Sequence, residues 1–230
     1  MSKENKKLKV AFPHMGTVYI AWSAALKKIG AEPFVPPYTS KKTLSLGTKH
    51  SPEAICLPYK LILGNFIEAI EGGTDYVAMI SSPGCCRLGE YGNCIHNALT
   101  DLGYKAKYIE LTLYDGLKGM YDFLKKISGK NDPILFARAI NIAIRKMFVL
   151  DDLENALSYY RAREIHFGDA EKNYNKALKY IKDADNTRKL NKAKKLAFEE
   201  MKKTEIDQNK EVLHVDLTGE IYLVCDQFSN

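Results

Sequence analysis

The chain has 230 residues, 46% of them apolar and 27% charged, so it can bury a sizeable core and does not have the composition of a disordered protein. Its formal net charge of +6 is mild and spread along the sequence, which permits an acidic ligand but does not indicate nucleic-acid binding. No apolar run reaches the roughly 18 residues of a membrane span, and the polar residues 1–9 lack the apolar stretch of a secretory signal. We therefore expect a cytoplasmic protein that binds neither membranes nor nucleic acid.

Short apolar runs alternate with helical patterns in the first half of the chain. The predicted strands cover residues 9–12, 32–35, 75–80 and 105–109. The predicted helices cover about residues 17–29, 40–49, 58–71 and 91–102. Such alternation implies parallel strands joined by right-handed crossovers. The predicted fold class is therefore α/β, with a Rossmann-like parallel sheet.

The pattern changes after residue 112. Residues 113–206 are almost wholly helical in pattern, whereas residues 211–215 and 219–225 have the apolar character of strands. We accordingly divide the chain into three segments. They are an α/β domain at 1–112, a helical segment at 113–207, and strands at 208–230 that begin a second α/β domain.

Five cysteines carry the most informative chemistry. Cys56 precedes the helix predicted at 58–71, Cys85 and Cys86 follow the strand predicted at 75–80, and Cys94 lies in the first turn of the next helix. Ligands bind at the carboxyl ends of strands in an open parallel sheet, and a helix N-terminus stabilises a thiolate. An odd cysteine count in a reducing cytoplasm does not fit a disulfide framework.

The loop around the cysteine pair suits an anionic inorganic group. Arg87 adds a positive charge beside Cys86, and Gly84 and Gly89 let the backbone approach a bulky ligand. An iron–sulfur cluster, whose sulfur atoms accept backbone hydrogen bonds, matches these features. The domain at 1–112 is therefore the predicted cluster-binding domain, with Gly84, Arg87 and Gly89 around the cofactor.

Cysteine spacing alone leaves two alternatives open, because neither C-x-x-C nor a ferredoxin spacing occurs. In the first, the cysteines are small apolar residues packed under the loop. In the second, zinc is bound by Cys85, Cys86, Cys94 and His96, although adjacent cysteines serve one tetrahedral site poorly.

Two sequence runs resemble the family of 2-hydroxyacyl-CoA dehydratases and CoA-enzyme activases, including proteins like the D-component of 2-hydroxyglutaryl-CoA dehydratase. The runs are ICLPYKLILGNFIEA at residues 55–69 and PGCCRLGEYG at residues 83–92. Arg163-Glu164 with Gly168 is similar to a helical Arg–Glu element of the family, and residues 219–222 are similar to its returning strand. The resemblance extends over nearly the whole chain.

The resemblance implies a [4Fe–4S] or larger cluster held by cysteines from different loops of paired Rossmann-like domains. Cys56 and Cys86 match the cysteine positions of the family, whereas Cys85 departs from its pattern. A third thiolate is then expected from Cys94, from Cys85, or from a second domain or a partner. The resemblance also implies an actin-like ATPase activator as electron donor, an acyl-CoA substrate, and a homo- or hetero-oligomer.

Three functions compete at this point. The first is a reductase or dehydratase component that takes low-potential electrons from an ATP-dependent activator, and the second is a non-catalytic iron–sulfur carrier or regulatory partner. The third is an α/β binding module with structural cysteines. His14, in the first strand-to-helix loop, is a candidate proton donor, and Lys60 is a candidate contact for an anion. Neither a Walker A loop nor G-x-G-x-x-G is present.

Overall fold

A four-stranded parallel sheet forms the centre of the fold. The computed structural model describes residues 7–84, 86–226, 228 and 229. The strands are β1 (Lys9–Ala11), β2 (Glu32–Phe34), β3 (Tyr76–Ser81) and β4 (Lys107–Thr112). They lie in the order β2-β1-β3-β4, and every pairing is parallel. The predicted α/β, Rossmann-like fold class is confirmed.

Helices connect and cover the strands. In the described part of the chain they are α1 (Tyr19–Ile29), α2 (Lys41–Lys49), α3 (Leu57–Glu71), α4 (Tyr91–Asp101), α5 (Gly116–Ser128), α6 (Pro133–Arg163), α7 (Asp169–Asp183), α8 (Thr187–Met201) and α9 (Ile221–Cys225). The 3-10 turn Arg87–Glu90 precedes α4. None of these helices is both long enough and apolar enough to cross a bilayer.

Local capping explains where several helices begin. At α2, the Ser40 hydroxyl accepts a hydrogen bond from Thr43 N at 3.4 Å, and the Thr43 hydroxyl accepts one from Ser40 N at 3.2 Å, which forms a capping box. At α6, the Asp132 carboxylate accepts a hydrogen bond from Leu135 N at 2.9 Å, and Pro133 occupies the first turn. Such signals span only three or four residues, so the sequence predicts them well.

The sheet separates two hydrophobic cores because successive side chains of a strand point to opposite faces. Val10 and Ala78 belong to the first core, which also receives apolar side chains from α1 and from α5 to α8. Ala11 and Val77 belong to the second core, which receives side chains from α3, α4 and α9. Cys56 and Arg87 therefore lie on elements of the second face.

The strands predicted at residues 211–215 and 219–225 are wrong. Residues 211–218 have no regular secondary structure, and residues 221–225 form α9. The Glu220 carboxylate accepts a hydrogen bond from Tyr222 N at 3.0 Å, which begins the helix, and the Tyr222 side chain is fully buried in the second core. The likeness of residues 219–222 to a returning strand fails for the same reason. The boundaries at residues 112 and 207 stay predictions.

Candidate functional site

The candidate site lies where the strand order changes direction. The chain runs outward from β1 to β2 on one side, and β3 pairs with β1 on the other side. Ligands of open α/β sheets bind in the crevice at the carboxyl ends of two such strands. The loop after β1 contains Pro13 and His14, and the loop after β3 leads to Cys86. The sheet topology therefore brings the first and third loops to one edge.

The loop after β3 contacts the start of α3 through one side chain. Arg87 Nη2 donates a hydrogen bond to Cys56 Sγ over 2.9 Å, although the two residues are 31 positions apart in sequence. Cys86 precedes Arg87 and stands at the N-cap position of the 3-10 turn. Cys56 occupies the N-cap position of α3, without a capping hydrogen bond from its side chain. Two of the predicted cysteine positions thus lie beside the same guanidinium, on one side of the sheet.

The surroundings of Cys56 favour its thiolate. Hydrogen bonding with the Tyr91 hydroxyl lowers the pKa of the Cys56 thiol most, and the charge and hydrogen bond of Arg87 lower it further, against the opposing effect of burial. Burial and the neighbouring Cys56 raise the pKa of Tyr91, so this phenol keeps its proton. A thiolate is the form of cysteine that binds a metal or attacks an electrophile.

Gly89 allows the two ends of the loop that contains Cys86 to approach each other closely. A Cβ atom at this position would lie 2.3 Å from the backbone oxygen of Ser82, a distance that side-chain carbons do not adopt. Gly89 N also donates to Cys86 O over 3.3 Å. The role of this glycine is therefore to bring the two ends of the loop together. At Gly84, in contrast, no described atom lies within 4 Å of the Cβ position.

Cys94 lies close to the same part of the second face. Cys94 is exposed on α4. Burial and then the charge of Cys94 raise the pKa of Tyr59. Burial, the hydrogen bond and charge of Cys56, and the charge of Cys86 raise the pKa of Tyr91. The rings of the two tyrosines are in edge-to-face contact, with centroids 5.2 Å apart. The Tyr59–Tyr91 pair therefore links the surroundings of Cys94 to those of Cys56 and Cys86.

The described residues do not contain a complete metal site. No three His, Cys, Asp or Glu side chains among them are arranged to hold a metal ion. Of the zinc alternative with Cys85, Cys86, Cys94 and His96, the three described residues Cys86, Cys94 and His96 do not form such a group. Cys85, which was predicted as a further ligand, lies outside the described residues. Cys56 and Cys86 belong to the two segments that Arg87 joins.

An apolar cavity of about 170 Å³ lies beside the cysteine loop and was not predicted from the sequence. Ser82 and Leu88 line it from the loop after β3, and Phe12, Pro13 and Met15 line it from the loop after β1. The rest of its wall comes from strand and helix side chains, namely Val10, Val18, Trp22, Leu26, Ala78, Met79, Ile80, Leu111 and Phe123. In the sequence these residues resemble ordinary core positions, so only their assembly reveals the cavity.

His14 and Lys60 are less suited to the roles considered for them. His14 is 2% exposed, its backbone N donates to Asn65 Oδ1 over 3.1 Å, and its ring stacks on Tyr19. Burial lowers the pKa of His14, and the charge of Asp226 only partly opposes this effect. Lys60 lies on α3, and its Nζ donates a hydrogen bond over 3.1 Å to Glu53 O, in the loop before that helix.

The family comparison covers nearly the whole chain. Residues 12–230 match the family model described as CoA enzyme activase uncharacterised domain (DUF2229). The match contains both cysteine-bearing segments and α9. No curated protein matches the chain at a significant level. The chain therefore belongs to the CoA enzyme activase family.

Proposed function

We propose that the chain is an iron–sulfur protein related to the 2-hydroxyacyl-CoA dehydratases. It receives low-potential electrons from an actin-like, ATP-dependent activator and uses them in the reduction or dehydration of an acyl-CoA. Family membership indicates a role in the system formed by an activase and its enzyme. The observation that carries the proposal is the Arg87–Cys56 contact, which brings two cysteine-bearing segments together at the ligand-binding edge of the sheet.

The protein supplies charge and hydrogen bonds to the proposed cluster. A bound iron–sulfur cluster provides one-electron transfer. Cys56 is already biased toward the thiolate by Tyr91 and Arg87, and the N-terminus of α3 adds the favourable field of its backbone N–H groups. Cys86 is the second ligand, and a further thiolate comes from Cys85, from Cys94 or from a partner.

The apolar cavity suits the acyl part of the substrate. A cavity of about 170 Å³ holds a small hydrocarbon group, since dry apolar cavities of roughly 150 Å³ bind benzene. It opens between the first and third loops, so a thioester that enters it would lie near the cysteine loop. The coenzyme A part, which carries negative charge, then remains outside the cavity.

Iron analysis tests the ligand assignment. We expect Cys56→Ala and Cys86→Ala, purified without oxygen and reconstituted with iron and sulfide, to retain well under half of the iron bound by the parent chain. Cys225→Ala is the matched control, because burial and the charges of Asp226 and Glu220 raise the pKa of the Cys225 thiol to about 11 and so disfavour its thiolate. Full iron retention in both Cys56→Ala and Cys86→Ala would refute the assignment.

Calorimetry with acyl-CoA separates the catalytic proposal from a non-catalytic electron carrier. The burial of His14, the candidate proton donor, is the observation that favours a carrier. If the cavity takes the acyl group, a short-chain acyl-CoA binds more tightly than free CoA, and Ala78→Leu, which fills the cavity, removes about tenfold of that preference. Equal binding of the two ligands by a chain with a reducible cluster supports the carrier.

A further inference from the structure

A second cavity lies beside β2, the edge strand of the sheet, and we name it the lysine cavity. Its volume of about 560 Å³ is within the range of cavities that hold small organic ligands. Side chains of α1, β2, α6 and α7 line it, together with the segment that joins α7 to α8. Among the described residues, none lines both this cavity and the apolar cavity beside the cysteine loop. The two cavities are therefore separate.

Lys146 brings a buried positive charge to the lysine cavity. It is 1% exposed, and its Nζ donates a hydrogen bond to Lys182 O over 3.1 Å. In the described part of the chain, no carboxylate lies within 4 Å of this ammonium group. An ammonium group can donate more than one hydrogen bond, and a buried charge without a counterion is costly. An anion in the cavity would therefore complete the surroundings of Lys146.

The hydroxyl of Ser23 is a second buried donor in the same wall. Its Oγ is shielded from solvent, and it has no hydrogen-bond partner among the described residues. Leaving a buried hydroxyl without a partner destabilises the fold, and a ligand that accepts its hydrogen bond removes this cost. Ser23 lies on α1 and Lys146 on α6, so two different helices present donors to the cavity.

The charged groups that line the cavity with Lys146 carry an excess of positive charge. They are Lys27 and Lys28 from α1, Glu32 from β2, Lys182 and Asp183 from α7, and Asp185 from the segment after α7. Asp185 is bound by Lys189 Nζ over 2.8 Å, which offsets its charge. Asp183 forms no ion pair with a described residue, so it is the carboxylate that competes with a bound anion.

The positive charge extends into a neighbouring groove. This groove shares Lys28 and Asn186 with the lysine cavity, and Arg138 and Arg188 also line it. Neither arginine forms an ion pair with a described residue. An anion that approaches the lysine cavity from this side is therefore attracted by unpaired cations.

We propose that the lysine cavity binds a phosphate monoester, with Lys146 and Ser23 as hydrogen-bond donors to the phosphate group. A phosphate group carries nearly two negative charges at neutral pH and has three strong acceptor oxygens, so it can accept from both donors. A carboxylate carries one charge and offsets fewer of the lysines. Ile20, Ala24 and Val35 supply an apolar part of the wall, which suits the organic part of the ester.

Calorimetry with glycerol 3-phosphate tests the site. We expect the 230-residue chain to bind this ester with a dissociation constant below about 1 mM. Lys146→Met should weaken binding by at least about tenfold and Ser23→Ala by about 3- to 10-fold, because each removes a donor to the phosphate. Asp183→Asn should strengthen binding by about 2- to 5-fold, because it removes a competing negative charge.

Arg145→Met is the matched control for Lys146→Met. Arg145 is the neighbour of Lys146 on α6, but it is exposed, and its Nε donates to Asn141 Oδ1 over 3.0 Å. It does not line the lysine cavity. This variant loses the same charge as Lys146→Met and should bind glycerol 3-phosphate within about twofold of the parent chain. Equal weakening by both variants would mean that the ester responds only to net charge, which overturns the proposal.

Proton uptake separates a direct contact with Lys146 from a structural effect of its substitution. Burial and the charge of Lys27 lower the pKa of Lys146 to about 8, against the opposing charges of Asp183 and Asp185. A phosphate beside the ammonium group raises this pKa, so binding at about pH 8.5 should take up a fraction of a proton. Calorimetry in two buffers of different ionisation enthalpy measures the uptake, which Arg145→Met should retain and Lys146→Met should lose.

Inorganic phosphate and acetate define what the site recognises. Weaker binding of inorganic phosphate than of glycerol 3-phosphate supports a contact between the apolar wall and the organic part. Acetate that binds as tightly as the ester overturns the assignment to phosphate. Failure of the parent chain to bind glycerol 3-phosphate at about 10 mM, or binding without proton uptake at about pH 8.5, also overturns the proposal. All variants should melt within about 4 °C of the parent chain, so a loss of binding is not a loss of the fold.

Discussion

Cys56 is more acidic than an ordinary thiol because Tyr91 and Arg87 both favour its charged form. Only the thiolate reacts with iodoacetamide, so the reactivity of Cys56 appears at a lower pH than that of an unperturbed cysteine. The two side chains that produce this effect come from the loop after β3 and from α4, not from the segment that carries Cys56.

We expect Arg87→Gln to raise the pKa of Cys56 and to slow its alkylation at pH 7 by about 3- to 10-fold in metal-free protein. Tyr91→Phe should act in the same direction. Peptide-resolved mass spectrometry measures the labelling of each thiol. Cys225 is an internal control, since burial raises its pKa to about 11 and it should label slowly in every variant. Unchanged labelling of Cys56 in both variants would contradict the interpretation.

Lys146 is a charged residue in an apolar position. It is 1% exposed in α6, and its Nζ donates to Lys182 O over 3.1 Å at the end of α7. Burial lowers the pKa of Lys146 to about 8, and the charge of Lys27 lowers it as well. Because the unfolded chain holds this proton more tightly than the folded chain, protonation of Lys146 destabilises the fold.

The stability of the protein should therefore depend on pH above neutrality. The contribution of Lys146 to the unfolding free energy rises as pH increases from about 8 toward the ordinary lysine pKa of about 10.4, and it is constant below that window. In Lys146→Met this contribution is absent. Urea unfolding between about pH 7 and 10 measures the difference, and parallel curves for the two proteins would show that Lys146 is not responsible.

At the scale of elements, α9 differs most from what the sequence predicts. Residues 219–225 have the apolar character of a strand, yet residues 221–225 form a short helix over the loop that follows β1. A Cβ at Gly16 would lie 2.6 Å from Cys225 O, so this loop approaches α9 backbone to backbone. The Thr39 hydroxyl donates to Asp226 Oδ1 over 3.0 Å and connects α9 to the segment before α2.

Two substitutions in this region should have opposite effects on stability. Asp226→Ala leaves the buried Thr39 hydroxyl without its acceptor and should cost about 1–3 kcal/mol of unfolding free energy.

The buried Tyr222 hydroxyl has no partner among the described residues, so Tyr222→Phe should be neutral or stabilise by up to about 1 kcal/mol. Urea unfolding measures both. A loss above about 1 kcal/mol in Tyr222→Phe would mean that its hydroxyl is hydrogen-bonded.

At the scale of the whole molecule, the sheet assigns different tasks to its two faces. The second face carries the cysteine-bearing segments and α9, whereas the first carries the helices from α5 to α8. Side chains of the first core line much of the cavity, which opens at the edge between β1 and β3. The cysteine-bearing segments and much of the cavity wall therefore belong to opposite faces of one sheet.

Most of the fold could be predicted because its signals are local. Apolar periodicity and capping act within one or two turns, which is why α2, α6 and the alternation of strands with helices follow from the sequence. The candidate site was predictable only in part. Topology alone places Cys86 at the ligand-binding edge, but the partners of Cys56 and the cavity beside Leu88 depend on how distant segments pack.

The amino-acid sequence by itself determined the alternation of the first four strands with helices, and with it a parallel sheet, because crossover handedness leaves few alternatives. The tertiary structure alone decided that Arg87 reaches Cys56 and that residues 221–225 form a helix. The physical reason is that Arg87 and Cys56 are 31 positions apart, and Thr39 and Asp226 are 187 positions apart, so no local sequence pattern contains these contacts. In addition, burial of Tyr222 in the second core stabilises the chain more than an unpaired strand at this segment would.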